Sequence, residues 1–364
     1  MKRIGILTFH RANNFGAFLQ VYALQEYLKC VGNEVVIIDY RNKAIEDFYN
    51  VWDFSFIFKR KNIFKSIALI LNKIKTFNQR KLWNDKYESI RNSHLNISSE
   101  IYFGEKDFKG GYDVYICGSD QIWNARLTNK LDPVYFLNFC KNDKSKKISY
   151  AASSEIYAYG CFAQQSNELH KYLDNFDAIS VRENILAEEL RKYTNKEITT
   201  VLDPTFLFDK TFYESLIKEP VIRNYVLVYH LYESEESSFA AKKIAQERNL
   251  SVVEIHAGFT NNIKNNHKQG LDSLEILGYI YYADLIFATS FHGMALSLVL
   301  NKQFYIVNKG DNSRMRNLLE SLNISERMIN SVDDINSNEI DFANVNKLLL
   351  YQKEQSKSFL QSNL

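Results

Sequence analysis

The sequence has few of the residues that interrupt or cross-link a chain. Its 364 residues include 13 glycines, 3 prolines and 4 cysteines, whereas 46% are hydrophobic and 14% are aromatic. This composition excludes a collagen-like chain, a disulfide-rich scaffold and a mainly disordered protein, because it supplies ample apolar surface for a core. At about 100 to 200 residues per domain, the length predicts two domains.

Long apolar runs and paired cysteines are also lacking. No window approaches the ~20 apolar residues that a membrane-spanning helix needs. The apolar run at 4–7 is too short for the core of a signal peptide, so it predicts a first β-strand. The four cysteines are Cys30, Cys117, Cys140 and Cys161. Their spacing matches neither a CxxC pair nor a zinc site. We therefore expect reduced thiols and a cytoplasmic location.

The net charge of +2 is too small for a dedicated nucleic-acid binder, and no nucleic-acid partner is expected. The charge is unevenly distributed. Residues 59–86 hold nine basic side chains and one acid, a net +8, which leaves −6 for the rest of the chain. Apolar residues recur there at helical spacing, at Ile63, Phe64, Ile67, Ala68, Ile70, Leu71 and Ile74. This basic amphipathic helix either lies on an anionic membrane surface or packs its apolar stripe on the first domain.

Short β-rich runs alternate with helical patterns, which is typical of βαβ units and parallel sheets. The first half has predicted strands at 4–9, 34–40, 113–117, 147–151, 178–182 and 199–202, with a helix at 16–29. The second half has predicted strands at 225–230, 251–256, 284–289 and 303–307, and helices at 235–247, 272–282 and 293–300.

This pattern predicts an α/β protein with two Rossmann-like domains that face each other across a cleft. We expect the N-terminal domain at 1–210, with a basic helical insertion at about 41–110, and the C-terminal domain at 211–340. A polar helix within 341–364 is expected to pack back on the first domain. Ligands of open α/β sheets bind at the carboxyl ends of the strands, so the residues that follow the strands are the candidates for a site.

The run Thr-Ser-Phe-His-Gly at 289–293 follows a predicted strand and begins a helix. Ser290 is expected to cap this helix, which places His292 in a first turn whose N–H groups and dipole favour anions. Gly293 allows a ligand to approach the backbone closely. His292 then binds a phosphate or transfers a proton near neutral pH, or it only packs, and position alone does not separate these readings.

Arg182 and Glu183 follow another apolar strand. The guanidinium of Arg182 suits bidentate binding of a carboxylate or phosphate at the cleft. The alternative is a surface ion pair with Glu183, which would contribute little.

The loop after the first strand, residues 11–17, lacks the GxGxxG pattern, so a dinucleotide site is poorly supported. With Gly16 at its helix start, it is a candidate phosphate or sugar loop. The side-chain amides of Asn13, Asn14 and Gln20 suit the hydroxyl groups of a sugar. A plain turn with a helix cap is the simpler explanation.

The loop that begins with Gly118, Ser119 and Asp120 follows a buried strand and presents a carboxylate. Asp120 is either a general base or only a turn residue. For Asp203, which precedes a proline, a turn is the favoured explanation. The remaining histidines have no partner at metal-ligand spacing, so no metal is predicted. These histidines are His94, His170, His230, His256 and His267.

Several of these segments together resemble the polysaccharide pyruvyl transferase family. In family order they are NNFGAFLQVYALQEYL, VGNEVVIIDY, VYICGSDQIWN, ISYAAS, ISVRE, VLDPT, TSFHGMALSLVLNKQF and SRMRNLL, from residue 4 to about 325. The resemblance implies a GT-B-like fold. It also implies transfer of pyruvate from phosphoenolpyruvate to two hydroxyls of one sugar as a cyclic ketal, with release of phosphate, in the synthesis of capsule, exopolysaccharide or cell-wall polymers.

The family's SFHG-type histidine corresponds to His292 and its SVRE-type arginine to Arg182, both implicated in handling phosphoenolpyruvate. A further basic residue that holds the donor corresponds to Arg314, with Arg316 and Lys309 as nearby alternatives. Phosphoenolpyruvate is then a co-substrate, and no resident cofactor is expected. The acceptor sugar is free, polymeric or carried on a polyprenyl lipid, and the basic segment 59–86 would bring the enzyme to the membrane in the last case.

Two other functions are compatible with the same pattern. A GT-B glycosyltransferase that uses a sugar nucleotide also needs an anion-binding helix start, but it needs a site for base and ribose as well. A sugar- or lipid-binding scaffold without catalysis is the other alternative, and it leaves the cleft arginine and histidine unexplained.

Overall fold

Two parallel sheets form the framework of the protein. The computed structural model describes residues 1–52, 63–140, 143–259, 267–307, 312–336 and 338–364, and it describes no side chains for 63–66. The first sheet contains β1 (Arg3–Leu7), β2 (Glu34–Tyr40), β3 (Ile97–Tyr102), β4 (Val114–Cys117), β5 (Lys146–Ala152), β6 (Ala178–Val181) and β7 (Ile198–Thr200). The second contains β8 (Tyr225–His230), β9 (Ser251–His256), β10 (His267–Lys268), β11 (Leu285–Ala288), β12 (Phe304–Val307) and β13 (Met328–Ile329).

The strand orders are those of two Rossmann-like domains. The first sheet runs β3-β2-β1-β4-β5-β6-β7 and the second β10-β9-β8-β11-β12-β13, and the paired strands are parallel. The central strands are buried, as expected for sheets that helices cover on both faces. The predicted α/β fold class, with two Rossmann-like domains in a GT-B-like arrangement, is confirmed.

The helices connect the strands. Those before the second sheet are α1 (Phe15–Cys30), α2 (Lys43–Tyr49), α3 (Ile63–Lys75), α4 (Phe77–His94), α5 (Tyr159–Gln164), α6 (Ser166–Asp174), α7 (Asn184–Leu190) and α8 (Lys210–Glu214). The later ones are α9 (Glu235–Arg248), α10 (Ser273–Tyr282), α11 (Phe291–Val299), α12 (Ser313–Ser321) and α13 (Phe342–Asn363). In the part of the chain that the structure describes, none of these helices has the length and apolar character needed to cross a membrane.

Helix α1 is buried around nearly its whole circumference, which is unusual for a helix that covers one sheet only. The reason is that it contacts α10 and α11 of the second domain as well as β2 of the first. A continuous apolar cluster therefore includes side chains of both domains. The start of α1 is held at the junction between the two sheets.

The segment predicted as an insertion at 41–110 contains α2, α3, α4 and the edge strand β3, so it is the crossover between β2 and β3. Helix α4 also reaches the second domain. The indole N–H of Trp83 donates to the carbonyl of Leu271 at 2.9 Å, and Lys86 pairs with Glu275 at 2.8 Å. The crossover therefore links both domains.

The C-terminal helix α13 lies against the first domain. The hydroxyl of Ser356 accepts a hydrogen bond from the backbone N–H of Leu202 at 2.9 Å, and the amide of Gln361 donates to the Tyr27 hydroxyl at 3.1 Å. Lys353 donates to the carbonyl of Phe208. These contacts tie the end of the chain to α1 and to the segment that follows β7.

Candidate functional site

The candidate site lies where the two domains meet at the carboxyl ends of their sheets. Strand order changes direction between β1 and β4 in the first sheet and between β8 and β11 in the second. Ligands of open α/β sheets bind next to such switch points. The residues that follow β4, β6, β7 and β11 meet there, and the central ones are Ser119, Arg182, Asp203 and His292.

Arg182 follows β6 and is buried, with its side chain 3% exposed. Each guanidinium nitrogen has a partner: Nη1 donates to Asp203 at 2.8 Å, Nε to Glu183 at 3.0 Å and Nη2 to the Ser153 hydroxyl at 2.9 Å. Its Cζ also lies 4.3 Å from the ring centre of Phe291, at the start of α11. The predicted alternative of a surface pair with Glu183 is wrong, because both side chains are buried.

Asp203 is the hub of the site. Its Oδ2 accepts from Arg182 and from the Ser119 hydroxyl at 2.9 Å, while Oδ1 accepts from the backbone N–H and the hydroxyl of Thr205. Burial alone would raise the pKa of this carboxyl, but His292, Arg182 and the Thr205 N–H together hold the pKa well below its usual range. Asp203 is therefore an anion at neutral pH.

The turn predicted at Asp203 is present, because its side chain caps the short 3-10 turn Pro204–Phe206. The explanation as a turn alone was incomplete, since the same carboxylate binds Arg182 and faces His292. Local sequence indicates the turn but not these contacts, which come from other strands and from the other domain. The VLDPT segment, in order with the other family segments, was the signal that could have drawn attention to this residue.

His292 lies in the first turn of α11, as predicted, and Ser290 caps this helix by accepting from the N–H of Gly293 at 3.0 Å. The ring nitrogen Nε2 is 3.5 Å from Oδ2 of Asp203. That distance is too long for a good hydrogen bond, and Nε2 is buried with no hydrogen-bond partner among the described residues. An imidazole nitrogen is thus available next to a buried carboxylate.

Gly16 allows α1 to reach this histidine. A Cβ atom added at Gly16 would lie 2.0 Å from Nδ1 of His292, closer than any side chain tolerates. Phe15, the first residue of α1, contacts Tyr229 of β8 edge to face, with ring centres 5.0 Å apart. The first domain therefore positions the histidine of the second domain directly.

Arg314 of α12 extends toward the first domain. Its Nη2 lies 3.9 Å from Oε1 of Glu155, and its charge lowers the pKa of Glu183, although burial raises that pKa overall. Arg316, on the same helix, is exposed, and Lys309 lies outside the described residues. Of the two described arginines, Arg314 is the one at the domain junction.

Asp120 is half-buried in the loop after β4, and its backbone has a φ of 68°. Its Oδ1 accepts from the N–H of Gln121, and its charge raises the pKa of Arg182 together with Glu183 and Asp203, against the effect of burial. Gly118, before it, has a φ of 114°, and a Cβ there would meet the carbonyl of Tyr150 at 2.2 Å. Glycine is required at that position so that the loop can turn against β5.

The residues predicted to bind sugar hydroxyls have partners inside the protein. The Asn13 amide bonds to Asn84 and Arg91 of α4, and Asn14 caps α1. Gln20 is fully buried, and its amide donates to Thr8 and to the carbonyl of Ala17. Ser119 is also fully buried and holds Asp203. Direct contact of these bonded groups with a sugar would require them to leave their partners, whereas Oε1 of Gln20 is buried without a hydrogen-bond partner among the described residues.

Two of the remaining histidines, for which sequence spacing indicated no metal-ligating partner, lie beside a carboxylate in the structure. His230, Glu254 and His256 each offer a ligand atom, and these atoms all lie within 4.8 Å of one another. Sequence spacing could not indicate this, because parallel pairing of β8 with β9 brings residue 230 opposite residue 256.

Two Rossmann-like domains with a charged centre at their junction define a GT-B-like protein. The sequence model of the polysaccharide pyruvyl transferase family matches residues 14–310, most of the chain. The protein therefore belongs to the polysaccharide pyruvyl transferase family, and its substrates include a sugar or polysaccharide acceptor. No curated protein sequence matches the chain.

Solved structures of epimerases and of a glycosyltransferase are similar to the chain over most of its length. UDP-GlcNAc 2-epimerase from Neisseria meningitidis, bound to UDP-GlcNAc, has a TM-score of 0.48 and 9% identity. The match covers 100% of this chain and 94% of the epimerase chain. The Methanocaldococcus jannaschii UDP-GlcNAc 2-epimerase has a TM-score of 0.48, 11% identity and coverages of 96% and 92%. The glycosyltransferase SnogD from Streptomyces nogalater has a TM-score of 0.43, 11% identity and coverages of 98% and 95%. At these values the two sheet orders, and not these likenesses, define the fold.

Proposed function

We propose that the protein transfers pyruvate from phosphoenolpyruvate to two hydroxyls of one sugar, forming a cyclic ketal and releasing phosphate. The observation that carries this proposal is the buried, unpartnered Nε2 of His292 beside the Asp203 carboxylate, in a chain of the pyruvyl transferase family. A histidine so placed can deliver a proton within a water-poor site.

In the proposed reaction, protonated His292 gives its Nε2 proton to C3 of phosphoenolpyruvate, and C2 becomes cationic. One sugar hydroxyl adds to C2 and loses its proton, which restores the imidazolium. The second hydroxyl then displaces phosphate from C2 and closes the ketal, and its proton leaves with the phosphate. The products are the pyruvyl ketal and inorganic phosphate.

Asp203 supports this proton transfer without touching the substrate. Its Oδ2 lies 3.5 Å from Nε2 of His292 and so faces the imidazole, and Arg182 keeps the carboxylate ionised and oriented. Since the three nitrogens of the Arg182 guanidinium are occupied by protein groups, we assign it a positioning role. This assignment replaces the expectation that Arg182 holds the donor directly.

Arg314 is the proposed contact for the donor's phosphate or carboxylate. Its side chain is 13% exposed and has only the long 3.9 Å approach to Glu155 as a described ion pair, so it can turn toward an anion at the start of α11. Arg314→Ala should raise the KM for phosphoenolpyruvate at least 10-fold, by about the 1.5–3 kcal/mol of a charged hydrogen bond. Arg316→Ala, on the exposed side of the same helix, is the matched control. Equal KM values for the two variants would exclude Arg314 from the donor site.

The central test is His292→Ala. Loss of a proton-transfer residue should lower turnover by ~10²–10⁴-fold while the protein stays folded. His170→Ala is the control, because that side chain is exposed and pairs only with Asp174 among the described ion pairs. Folding is checked by circular dichroism. Near-normal turnover of His292→Ala would disprove the assignment.

Asp120 is the proposed acceptor of the second hydroxyl's proton, which it passes to the departing phosphate, because its half-buried carboxylate lies near the start of the loop after β4, beside the same junction. Asp120→Asn keeps the size of the side chain and removes its basicity, so kcat should fall with little change in the KM for phosphoenolpyruvate. An unchanged kcat would leave Asp120 as a turn residue.

The substrates are identified by two measurements. Thermal shifts with phosphoenolpyruvate and with nucleoside-diphosphate sugars separate pyruvyl transfer from glycosyl transfer, because a bound ligand raises Tm with its concentration relative to Kd. A response only to sugar nucleotides would favour a glycosyltransferase. Mass spectrometry of free, polymeric and polyprenyl-linked acceptors incubated with phosphoenolpyruvate identifies the sugar through its added pyruvate ketal.

We also propose that α3 contacts an anionic membrane, where a lipid-linked acceptor would reside. Exposed apolar side chains at helical spacing, Ile67, Leu71 and Ile74, share the helix with the exposed Lys75. Residues 53–62, including three of the basic residues, lie outside the described part of the chain. Lys73 and Lys86 instead bind a carbonyl and a carboxylate of the protein.

Co-sedimentation with vesicles that contain anionic lipid tests this contact. Leu71→Glu should reduce binding, and added salt should weaken it. Leu350→Glu, at an equally exposed leucine of α13, is the control. Binding that depends neither on anionic lipid nor on Leu71 would exclude α3 as a membrane contact.

A further inference from the structure

Three histidines meet at the carboxyl end of the second sheet, apart from the pyruvyl-transfer site. His230 ends β8, His256 ends β9 directly opposite it, and His267 begins β10. Their rings stack in a row: the ring centres of His230 and His256 are 4.8 Å apart, and those of His256 and His267 are 5.1 Å apart. His256 Nε2 and His267 Nδ1 approach to 2.9 Å.

Glu254 adds a buried carboxylate to this row. It lies two residues before His256 on β9, so both side chains project from the same face of the sheet. Its Oε2 accepts from Ser238 at 2.7 Å and lies 2.9 Å from His230 Nε2, and its Oε1 lies 3.6 Å from His267 Nε2.

Glu233 adds a second carboxylate beside the row. Its Oε1 lies 2.8 Å from His256 Nδ1 without the geometry of a hydrogen bond, and Nε2 of His256 faces His267. A carboxylate behind a histidine in this way is the usual outer partner of a metal-bound imidazole. His230 Nδ1 is buried and has no hydrogen-bond partner among the described residues.

We propose that His230, Glu254 and His256 bind a divalent transition-metal ion of the zinc type, with His267 beside them as a fourth side chain. Imidazole with one carboxylate favours zinc and its neighbours over magnesium or calcium, which prefer oxygen ligands. The three ligand atoms lie within 4.8 Å of one another, and His230 Nε2 and Glu254 Oε2 are 2.9 Å apart, so zinc bonds of ~2.0–2.2 Å require the side chains to adjust around the ion.

Charge balance supports a cation at this place. The described carboxylates around the cluster are Glu254 and Glu233, and the described cation facing Glu254 is Lys242, 3.9 Å from its Oε1. Because the Lys242 side chain is largely exposed, it can turn to solvent when a metal ion binds.

Binding would join β8, β9 and the two-residue strand β10. This end of the second sheet is close to α11, because the backbone N–H of Leu231, next to His230, donates to the Thr289 hydroxyl at 3.0 Å. Thr289 directly precedes the cap of α11.

The test uses the full-length protein after treatment with a chelator. Equilibrium dialysis against Zn²⁺ should give one equivalent bound per chain, with a rise in Tm that saturates at that equivalent. Co²⁺ in place of Zn²⁺ should give the visible absorption of a four-coordinate, nitrogen-ligated ion. Binding of less than one equivalent by the wild-type chain would overturn the proposal.

Variants locate the site. His230→Gln and His256→Gln should each weaken Zn²⁺ binding more than 10-fold and abolish the Co²⁺ spectrum, whereas His170→Gln, at an exposed histidine, should bind as the wild type does. Glu233→Gln should weaken binding by about 10–100-fold, and its exposed side chain makes a folding defect small. Wild-type affinity in His230→Gln, His256→Gln and Glu233→Gln would place any bound metal elsewhere and refute the site.

Discussion

Replacing Gly16 by alanine tests how closely the two domains meet at His292. The new Cβ would lie 2.0 Å from Nδ1 and 2.1 Å from Cγ of the imidazole. Non-bonded heavy atoms need roughly 3.5 Å, so either the imidazole or the start of α1 must move by about 1.5 Å. A displacement of this size at a proton-transfer group costs about 10²-fold in rate. We therefore expect kcat to fall by about 10²-fold.

The same variant should lose stability, against the usual trend. Glycine to alanine in a helix normally stabilises by roughly 0.5–1 kcal/mol, whereas overpacking of a core costs about 1–3 kcal/mol. Since Gly16 is packed against His292, the second effect should dominate. The net loss should be up to about 2 kcal/mol in urea unfolding.

Gly160 is the matched control. It is the second residue of α5, as Gly16 is of α1, and no described atom lies within 4 Å of its Cβ position. Gly160→Ala should leave turnover unchanged and stability equal or higher. Turnover is measured as phosphate released from phosphoenolpyruvate with the acceptor found by mass spectrometry. If Gly16→Ala matches Gly160→Ala in rate and stability, the described contact between α1 and His292 is refuted.

Two further predictions concern buried contacts. Asp203→Asn should lower the free energy of unfolding by about 3–5 kcal/mol at neutral pH, because it breaks the buried ion pair with Arg182. Since folding lowers the pKa of Asp203, its contribution is complete above the ordinary value of 3.8 and is lost as the pH falls through the lower folded value. The unfolding free energies of wild type and Asp203→Asn should therefore differ by the full amount above about pH 4 and converge progressively as the pH falls below it, and a constant difference would contradict this. Trp83→Ala should lower the free energy of unfolding by about 3–5 kcal/mol, because it opens the contact of α4 with the second domain. Trp52→Ala, at a residue that is 73% exposed, should lower it far less. Equal losses in the two variants would argue against that contact.

The fold could be predicted from local patterns, apart from the sheet edges. Buried strands such as β1 and β8 are continuous apolar runs bounded by helical periodicity, so sequence alone indicates them. Strand β3 was not predicted because half of its residues are polar and only Tyr102 is buried at this edge of the sheet. Strands β10 and β13 have two residues each, too few for any pattern.

The candidate site was partly predictable for a related reason. His292 and Arg182 directly follow strands, so the rule for open α/β sheets draws attention to them. Asp203 was predicted as a turn residue only, because its two charged neighbours are distant in sequence. Arg182 is 21 residues away, and His292 belongs to the other domain. Asn14 and Gln20 were expected to bind a sugar; in the structure Asn14 caps α1, and the Gln20 amide donates to Thr8 and to the carbonyl of Ala17.

The sequence by itself determined the elements of this protein, the class of its fold and the strand ends at which polar residues gather, because periodicity and helix caps depend on neighbours along the chain. Tertiary structure alone decided that Asp203 lies between Arg182 and His292 and that His230 faces His256. Those contacts depend on strand register and on the packing of α1 between the domains. Local sequence gives no signal of the register or of this packing, because the residues in contact are far apart along the chain.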